Sequence, residues 1–157
     1  MITVRAATMA DYDAICRLFG EADQLHAELV PGLFRRPDRP SRSRDELARV
    51  LASPAAAMLV ADDGRELAGV ISLVLRDVRE RPMFVPETLG VIDALAVAEQ
   101  HRRRGVGRML IEGAAAWFRA RHTVQVELRV YERNRDAIAF YEQLGFRPLA
   151  RILTIDV

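Results

Sequence analysis

Apolar positions change period several times along the chain, and each change marks an element. Ile2 to Ala6 is a short strand-like run. Thr8-Met-Ala-Asp11 then has the form of a capping box, so a helix is expected to about Leu29. Within it Ile15, Leu18, Phe19 and Ala22 recur at steps of three and four, the stripe of a helix with one buried face, and Pro31-Gly32 ends it. The run FRRPDRPSRSR from Phe34 to Arg44 holds two prolines and five arginines without apolar period, which predicts a surface loop before a short helix from about Arg44.

Ala57 to Ala61 and Glu66 to Leu75 are β-type runs joined by Asp62-Asp63-Gly64, whose Asp-Gly pair accepts the positive φ of a tight hairpin turn. A polar link from Asp77 to Thr88 precedes another strand-like run, Leu89 to Val97. Gly105 to Arg121 has helical period, with Ala114 to Ala116 small enough for close packing on a sheet. Val124 to Val130 alternates as a strand, Asn134 to Leu144 reads as a helix closed by Gly145, and Phe146 to Asp156 as a last strand. The expected order is β-α-α-β-β-β-α-β-α-β. No repeat or second composition regime divides it, so residues 1–157 read as a single α/β domain.

Composition narrows the function classes. The 157 residues are 50% hydrophobic with a net charge of +1, which excludes a disordered chain and a strong nucleic-acid field. All 23 basic residues are arginine, so no lysine base or Schiff base is available. The single cysteine, Cys16, lies beside Ile15, Leu18 and Phe19 and is expected to be inertly buried. Its three histidines, His26, His101 and His122, share no spacing with one another or with Cys16 that suggests a metal site, and no metal is expected. Acidic residues stand where a signal peptide needs its apolar stretch, and no window holds eighteen uninterrupted apolar residues. A cytoplasmic protein without membrane contact is expected.

One feature suits phosphate chemistry. The buried run Val91 to Val97 leads through Ala-Glu-Gln-His into Arg102-Arg103-Arg104-Gly105-Val106-Gly107 and an amphipathic helix. Glycines let backbone approach a pyrophosphate, and the first amides of a helix lack internal partners and lie at the positive end of its dipole. A P-loop would need Gly-Lys-Ser/Thr, and a dinucleotide fingerprint would need glycine where Leu110 stands, so both fail on residues. Taken alone, the loop reads equally as a tight strand-to-helix turn beside solvated arginines.

The second feature is Asn134-Arg-Asp-Ala-Ile-Ala-Phe-Tyr141-Glu-Gln-Leu-Gly-Phe146. Together the two blocks resemble the GNAT superfamily of N-acetyltransferases. Its loop pattern, Gln or Arg, two residues, Gly, one residue, Gly or Ala, is matched by Arg102, Gly105 and Gly107. Its phrase N-x-x-A-x-x-F-Y-E-x-L-G-F is matched from Asn134 to Phe146. The loop departs from the commonest form with Glu99 where proline is frequent and Arg103 where glycine is frequent.

The resemblance implies a mixed, mostly antiparallel sheet with a parallel pair formed by its fourth and fifth strands, flanked by about four helices. It implies acetyl-CoA as cosubstrate, without metal. Backbone amides along Arg103, Arg104, Gly105, Val106, Gly107 and Arg108, beside Arg102, would hold its pyrophosphate. Leu95, Ala96 and Val97 would bond the pantetheine arm, and Asn134 would reach it from the other side. Tyr141 would protonate the departing thiolate. A phenol pKa of about 10 lies near that of a thiol, about 8.5, which suits that task. Without the resemblance, Tyr141 shares a helical stripe with Ala137, Ile138 and Leu144 and reads as a half-buried core aromatic. Tyr131 is the rival acid.

Presenting a lysine-type amine neutral at pH 7 costs about 4.6 kcal/mol, so a general base is worth seeking. Asp93 has the strand parity of Leu95 and Val97, and an acidic residue on this strand serves as base in several GNAT enzymes. Pairing with a neighbouring arginine is the alternative for it. His26 and Glu28 precede the loop that covers the acceptor site in this fold and are candidate substrate contacts. The expected function is acetylation of a primary amine on a small molecule or peptide. Two alternatives are acetylation of a protein amino terminus or an aminoacyl-tRNA, although +1 net charge weighs against RNA. A non-catalytic CoA-binding sensor or partner-binding module is the third. A homodimer through the apolar tail Ile152 to Ile155 is expected slightly ahead of a monomer.

Overall fold

Local hydrogen bonds fix where the first two helices begin. The computed structural model describes residues 1–40 and 42–157; of the loop expected over Phe34 to Arg44, Ser41 lies outside the described residues. The Thr8 amide donates to the Asp11 carboxylate at 2.8 Å, closing a short 3₁₀ turn, Met9–Asp11, ahead of α1, Tyr12–Leu29. A second box, unforeseen in the sequence, starts α2, Arg44–Ala52: the Ser43 hydroxyl accepts from the Glu46 amide at 3.1 Å, and the Glu46 carboxylate accepts from the Ser43 amide at 2.6 Å.

Five strands follow one another across the sheet in chain order: β1 Thr3–Ala6, β2 Ala56–Asp62, β3 Leu67–Asp77, β4 Thr88–Val97 and β5 Val126–Leu128. All neighbours are antiparallel except β4 and β5, which are parallel because α3, Val106–Arg119, carries the chain back across the sheet. The last helix, α4, spans Arg135–Gln143. Among the described residues, the mixed sheet with one parallel pair and four α-helices is the architecture expected from the resemblance.

Two cores lie on opposite faces of the sheet. Ile15, Leu18 and Phe19 of α1 and Leu47 of α2 pack on Met58, Val60, Val70 and Ala96. Val106, Leu110, Ile111, Ala114 and Phe118 of α3 pack on Ile71, Leu73 and Ile92, with Phe140, Tyr141 and Leu144 of α4 against their edge. Covered on both sides, β3 is buried without alternation from Leu67 to Leu73.

The last strand does not form. Residues 147–157 carry no secondary structure, and Leu149, Ile152, Leu153 and Ile155 are 70 to 89% exposed. Branched apolar residues raise strand propensity, but a strand exists only through its ladder. The neighbouring edge is the three-residue β5, and Pro148 cannot donate to a ladder. Cys16 also departs from expectation: it is half-buried, its thiol 3.7 Å from the Arg42 carbonyl oxygen, at the rim of a cavity of about 430 Å³ between α1 and residues 36–40.

Candidate functional site

Beyond Ile92, β4 loses its parallel neighbour. Pairing with β5 covers Gly90, Val91 and Ile92 against Val126, Glu127 and Leu128 and then stops. On its other side β4 remains paired to β3, with Leu95 opposite Ile71, Ala96 opposite Val70 and Val97 opposite Gly69. From Asp93 to Val97 one strand edge is therefore open over about 13 Å, at roughly 3.3 Å per residue. An edge of free amides and carbonyls is a template for an extended, amide-containing ligand.

Asp93 sits where that opening begins, at a β-bulge. Ser72 pairs with Ala94 and Leu73 with Ile92, so Asp93 has no partner on β3. The bulge overturns the parity argument made from the sequence. Ile92, Leu95 and Val97 all pack on the α3 face, whereas Ala94 and Ala96 belong to the opposite core. Asp93 belongs to neither alternation and is exposed.

The strand end feeds the loop through a 3₁₀ turn, Glu99–His101. Arg102 folds back, its Nε donating to the Val97 carbonyl at 3.2 Å and its guanidinium 3.8 Å from Glu21 of α1. Arg103 then adopts φ of +60° and Gly105, the N-cap of α3, φ of +83°. Such alternation of handedness turns successive amides toward one point, forming an anion nest. Met109 is the first amide of α3 to take up a carbonyl, that of Gly105 at 3.0 Å, and no loop or cap hydrogen bond of the described backbone uses the amides of Arg103 to Arg108. Arg103, Arg104 and Arg108 are exposed around this nest, adding positive field to the helix dipole. The residues present thus fit a pyrophosphate.

Asn134 caps α4, its Oδ1 accepting from the Ala137 amide at 3.2 Å, which leaves its amide group as a donor. Tyr141 packs between Phe140 and Phe146, ring centroids 5.2 and 5.6 Å away, on the α3-side core. Burial pushes its phenol up to about 12, so it holds its proton throughout the neutral range.

His26 and Glu28 diverge. His26 stacks on Phe34 at 5.4 Å and meets Tyr131 edge-on at 5.5 Å, while Phe34 and Tyr131 touch at 5.2 Å. This trio ties the end of α1 to the segment after β5; Arg133 adds a bond to the Leu29 carbonyl at 3.3 Å. Glu28 lies outside it, exposed, accepting from Gln24 at 3.1 Å and 3.8 Å from Arg36.

One further group has no signature in sequence spacing. Asp63, Glu66 and His101 present their ligand atoms within 4.8 Å of one another. His101 Nε2 lies 3.0 Å from Glu66 Oε1, which also accepts from Gln100 at 3.1 Å, and 3.7 Å from Asp63 Oδ2. Hydrogen bonds hold both carboxyls below their ordinary range: for Glu66 first from Gln100 and then from His101, and for Asp63 first from the Glu66 amide and then from that of Arg65. The Asp-Gly signal located the hairpin, but nothing in the sequence tied it to a histidine 35 positions on.

An open strand edge running into an arginine-flanked nest of amides, with a helix bearing a half-buried tyrosine packed alongside, fits the fold and site of an acetyltransferase. The comparisons agree, and the chain belongs to the acetyltransferase (GNAT) family, whose model matches residues 22–146. It is 33% identical over 119 residues to acetyl transferase GW6a of Oryza sativa subsp. japonica, covering 68% of this chain and 27% of that protein. Over 52 residues it is 44% identical to the [ribosomal protein bS18]-alanine N-acetyltransferase of Salmonella typhimurium, covering 33% of this chain and 35% of that one. The matches thus span about a third or less of these curated relatives' length. Among solved structures, a tetramutant of the BH1408 protein from Bacillus halodurans superposes with a TM-score of 0.91 at 25% identity over 99% of each chain. An aminoglycoside acetyltransferase from an uncultured soil metagenomic sample, in complex with sisomicin, shares the fold with a TM-score of 0.76 at 14% identity over 99% of this chain and 95% of that one. None of the described helices is long and apolar enough to cross a membrane.

Proposed function

We propose that the chain is a cytoplasmic N-acetyltransferase that moves an acetyl group from acetyl-CoA to a primary amine of a small molecule or peptide, by direct attack in a ternary complex. The observation that carries this reading is the departure of β5 from β4 at Ile92, which opens strand edge directly upstream of the amide nest. In this reading acetyl-CoA supplies an activated thioester. The nest and the arginines from Arg102 to Arg108 bind its pyrophosphate, and the open backbone of Leu95 to Val97 aligns the arm and polarises the acetyl carbonyl. Tyr141, protonated at neutral pH, gives its proton to the thiolate sulfur. Asp93, exposed at the mouth of the opening, takes a proton from the incoming ammonium, directly or through water. His26, held by Phe34 and Tyr131, faces the acceptor from the α1 side, with Glu28 at its rim. The exposed apolar tail from Ile152 to Ile155 joins two copies as a homodimer in this reading.

The 44% identical segment shared with a protein-alanine acetyltransferase supports a peptide amino terminus as the second acceptor class. The test is thiol release from acetyl-CoA across amines, amino acids, polyamines, aminoglycosides and peptides, with wild type beside Tyr141→Phe. Turnover on one class, lowered about 10²- to 10⁴-fold by the substitution, supports the reading and names the acceptor. Acetyl-CoA binding without turnover on any class favours the sensor alternative, and absence of binding sinks both.

A further inference from the structure

The turn that carries the amide nest is gripped from two sides by carboxylates that belong to neither β4 nor α3. On one side Glu66, at the end of the β2–β3 turn, meets Gln100 and His101 through a single oxygen, at 3.1 and 3.0 Å. That turn is itself fixed, because Asp63 Oδ1 accepts from the amides of Arg65 and Glu66 at 2.8 and 2.9 Å. On the other side Glu21 of α1 accepts from the Glu99 amide at 3.3 Å.

His101 is the part that transmits position. Its side chain is 8% exposed, its Nδ1 has no hydrogen-bond partner among the described residues, and its Nε2 is anchored by Glu66 with Asp63 behind. With only one nitrogen satisfied, the buried ring depends on the carboxylate for its seat. Arg102 is the next residue, and the nest begins one residue later.

We infer that Glu66, acting through His101, is a positioning residue for acetyl-CoA: it sets the register of the pyrophosphate loop without touching the ligand. The inference rests on the cofactor reading proposed above. Removing the carboxylate leaves Nδ1 unpaired and Nε2 with only Asp63, 3.7 Å away, so the ring moves toward Asp63 and the loop attached to it shifts. A displacement of ångström size is enough to misalign a set of converging donors.

The experiment compares wild type, Glu66→Ala and Glu66→Gln, the last of which keeps an acceptor oxygen for Gln100 and His101. Titration calorimetry with acetyl-CoA, well below the unfolding midpoint of each protein, should show about a tenfold weaker Kd for Glu66→Ala, with most of the loss restored in Glu66→Gln. In steady state the KM for acetyl-CoA should rise while kcat at saturation stays within twofold. Amide hydrogen exchange at Arg102 to Gly107, followed by NMR in the ligand-free protein, should be about tenfold faster in Glu66→Ala. Equal Kd and equal exchange in all three proteins, or a fall in kcat at unchanged KM, would overturn the inference. Should wild type fail to bind acetyl-CoA, the proposed function falls, and the exchange rates still decide whether Glu66 holds the loop.

Discussion

Phe140 of α4 lies 2.9 Å from the place a β-carbon on Gly107 would take. The second glycine of the loop therefore serves packing: it lets the helix that carries Tyr141 settle on the first turn of α3. Gly107→Ala should destabilise the protein by about 1–3 kcal/mol, the range for overpacking a closed contact. Adding Phe140→Leu should recover at least about 0.5 kcal/mol of it, measured by urea denaturation as a double-mutant cycle. Strict additivity would mean that the two residues do not press on each other.

Gly105 and Arg103 both occupy the left-handed region but should respond in opposite directions. Around Gly105 there is open space, so Gly105→Ala meets no atom; its cost is conformational, about 1–2 kcal/mol. Arg103 already bears such a cost at φ of +60°, and Arg103→Gly should be neutral to about 1 kcal/mol stabilising, the relief being partly offset by the freer unfolded chain. Thermal unfolding of the two variants beside wild type checks both signs.

The phenol of Tyr141, raised to about 12, predicts an alkaline signature. Because its folded value lies above the unfolded value of about 10, its contribution to stability is complete below pH 10 and is lost as pH rises through 12. Ultraviolet titration of phenolate should therefore show a late phase near pH 12 that is missing in Tyr141→Phe. A Tyr141 that titrates near 10 would mean the ring is open to water.

Asp11 predicts an effect at the acidic end. Its carboxylate, bonded first by Arg5 at 2.9 Å and also by Thr8, is lowered to about 2. A depressed value contributes stability that is present above the unfolded value near 3.9 and lost as pH falls through 2. Arg5 is 38% exposed, so solvent screening reduces the effect to about 1–2 kcal/mol. Asp11→Asn should cost that much at pH 7 in guanidinium denaturation, with the difference shrinking below pH 4 and nearly gone at pH 2. A cost unchanged with pH would assign the effect to geometry instead of charge.

Truncation after Phe146 tests the tail. Because residues 147–157 form no element here and carry exposed Leu149, Ile152, Leu153 and Ile155, their removal should leave the far-ultraviolet circular dichroism spectrum unchanged. In the proposed homodimer the full chain sediments as a dimer and the truncated chain as a monomer; equal sedimentation of both would remove the tail from the interface.

What the sequence determined by itself was whatever depends on neighbours a few positions apart. Periods of three to four marked α1 and α3, continuous apolar β-type runs marked β2 and β3, the Asp-Gly pair marked the hairpin between those two strands, and Gly105 with the arginines beside it marked the nest. Whether residues distant in sequence meet is decided only by tertiary structure. A strand pattern at 146–156 did not become a strand, because three residues of β5 and a proline offer no ladder. The bulge that strips Asp93 of its β3 partner depends on register against β3, which no local pattern encodes. Phe34 and Tyr131 come together with His26, and Glu66 with His101, only because the sheet brings their loops side by side. Periodicity reports which face of an element is buried, whereas a site is made where several elements end, and the positions of those ends are set by packing.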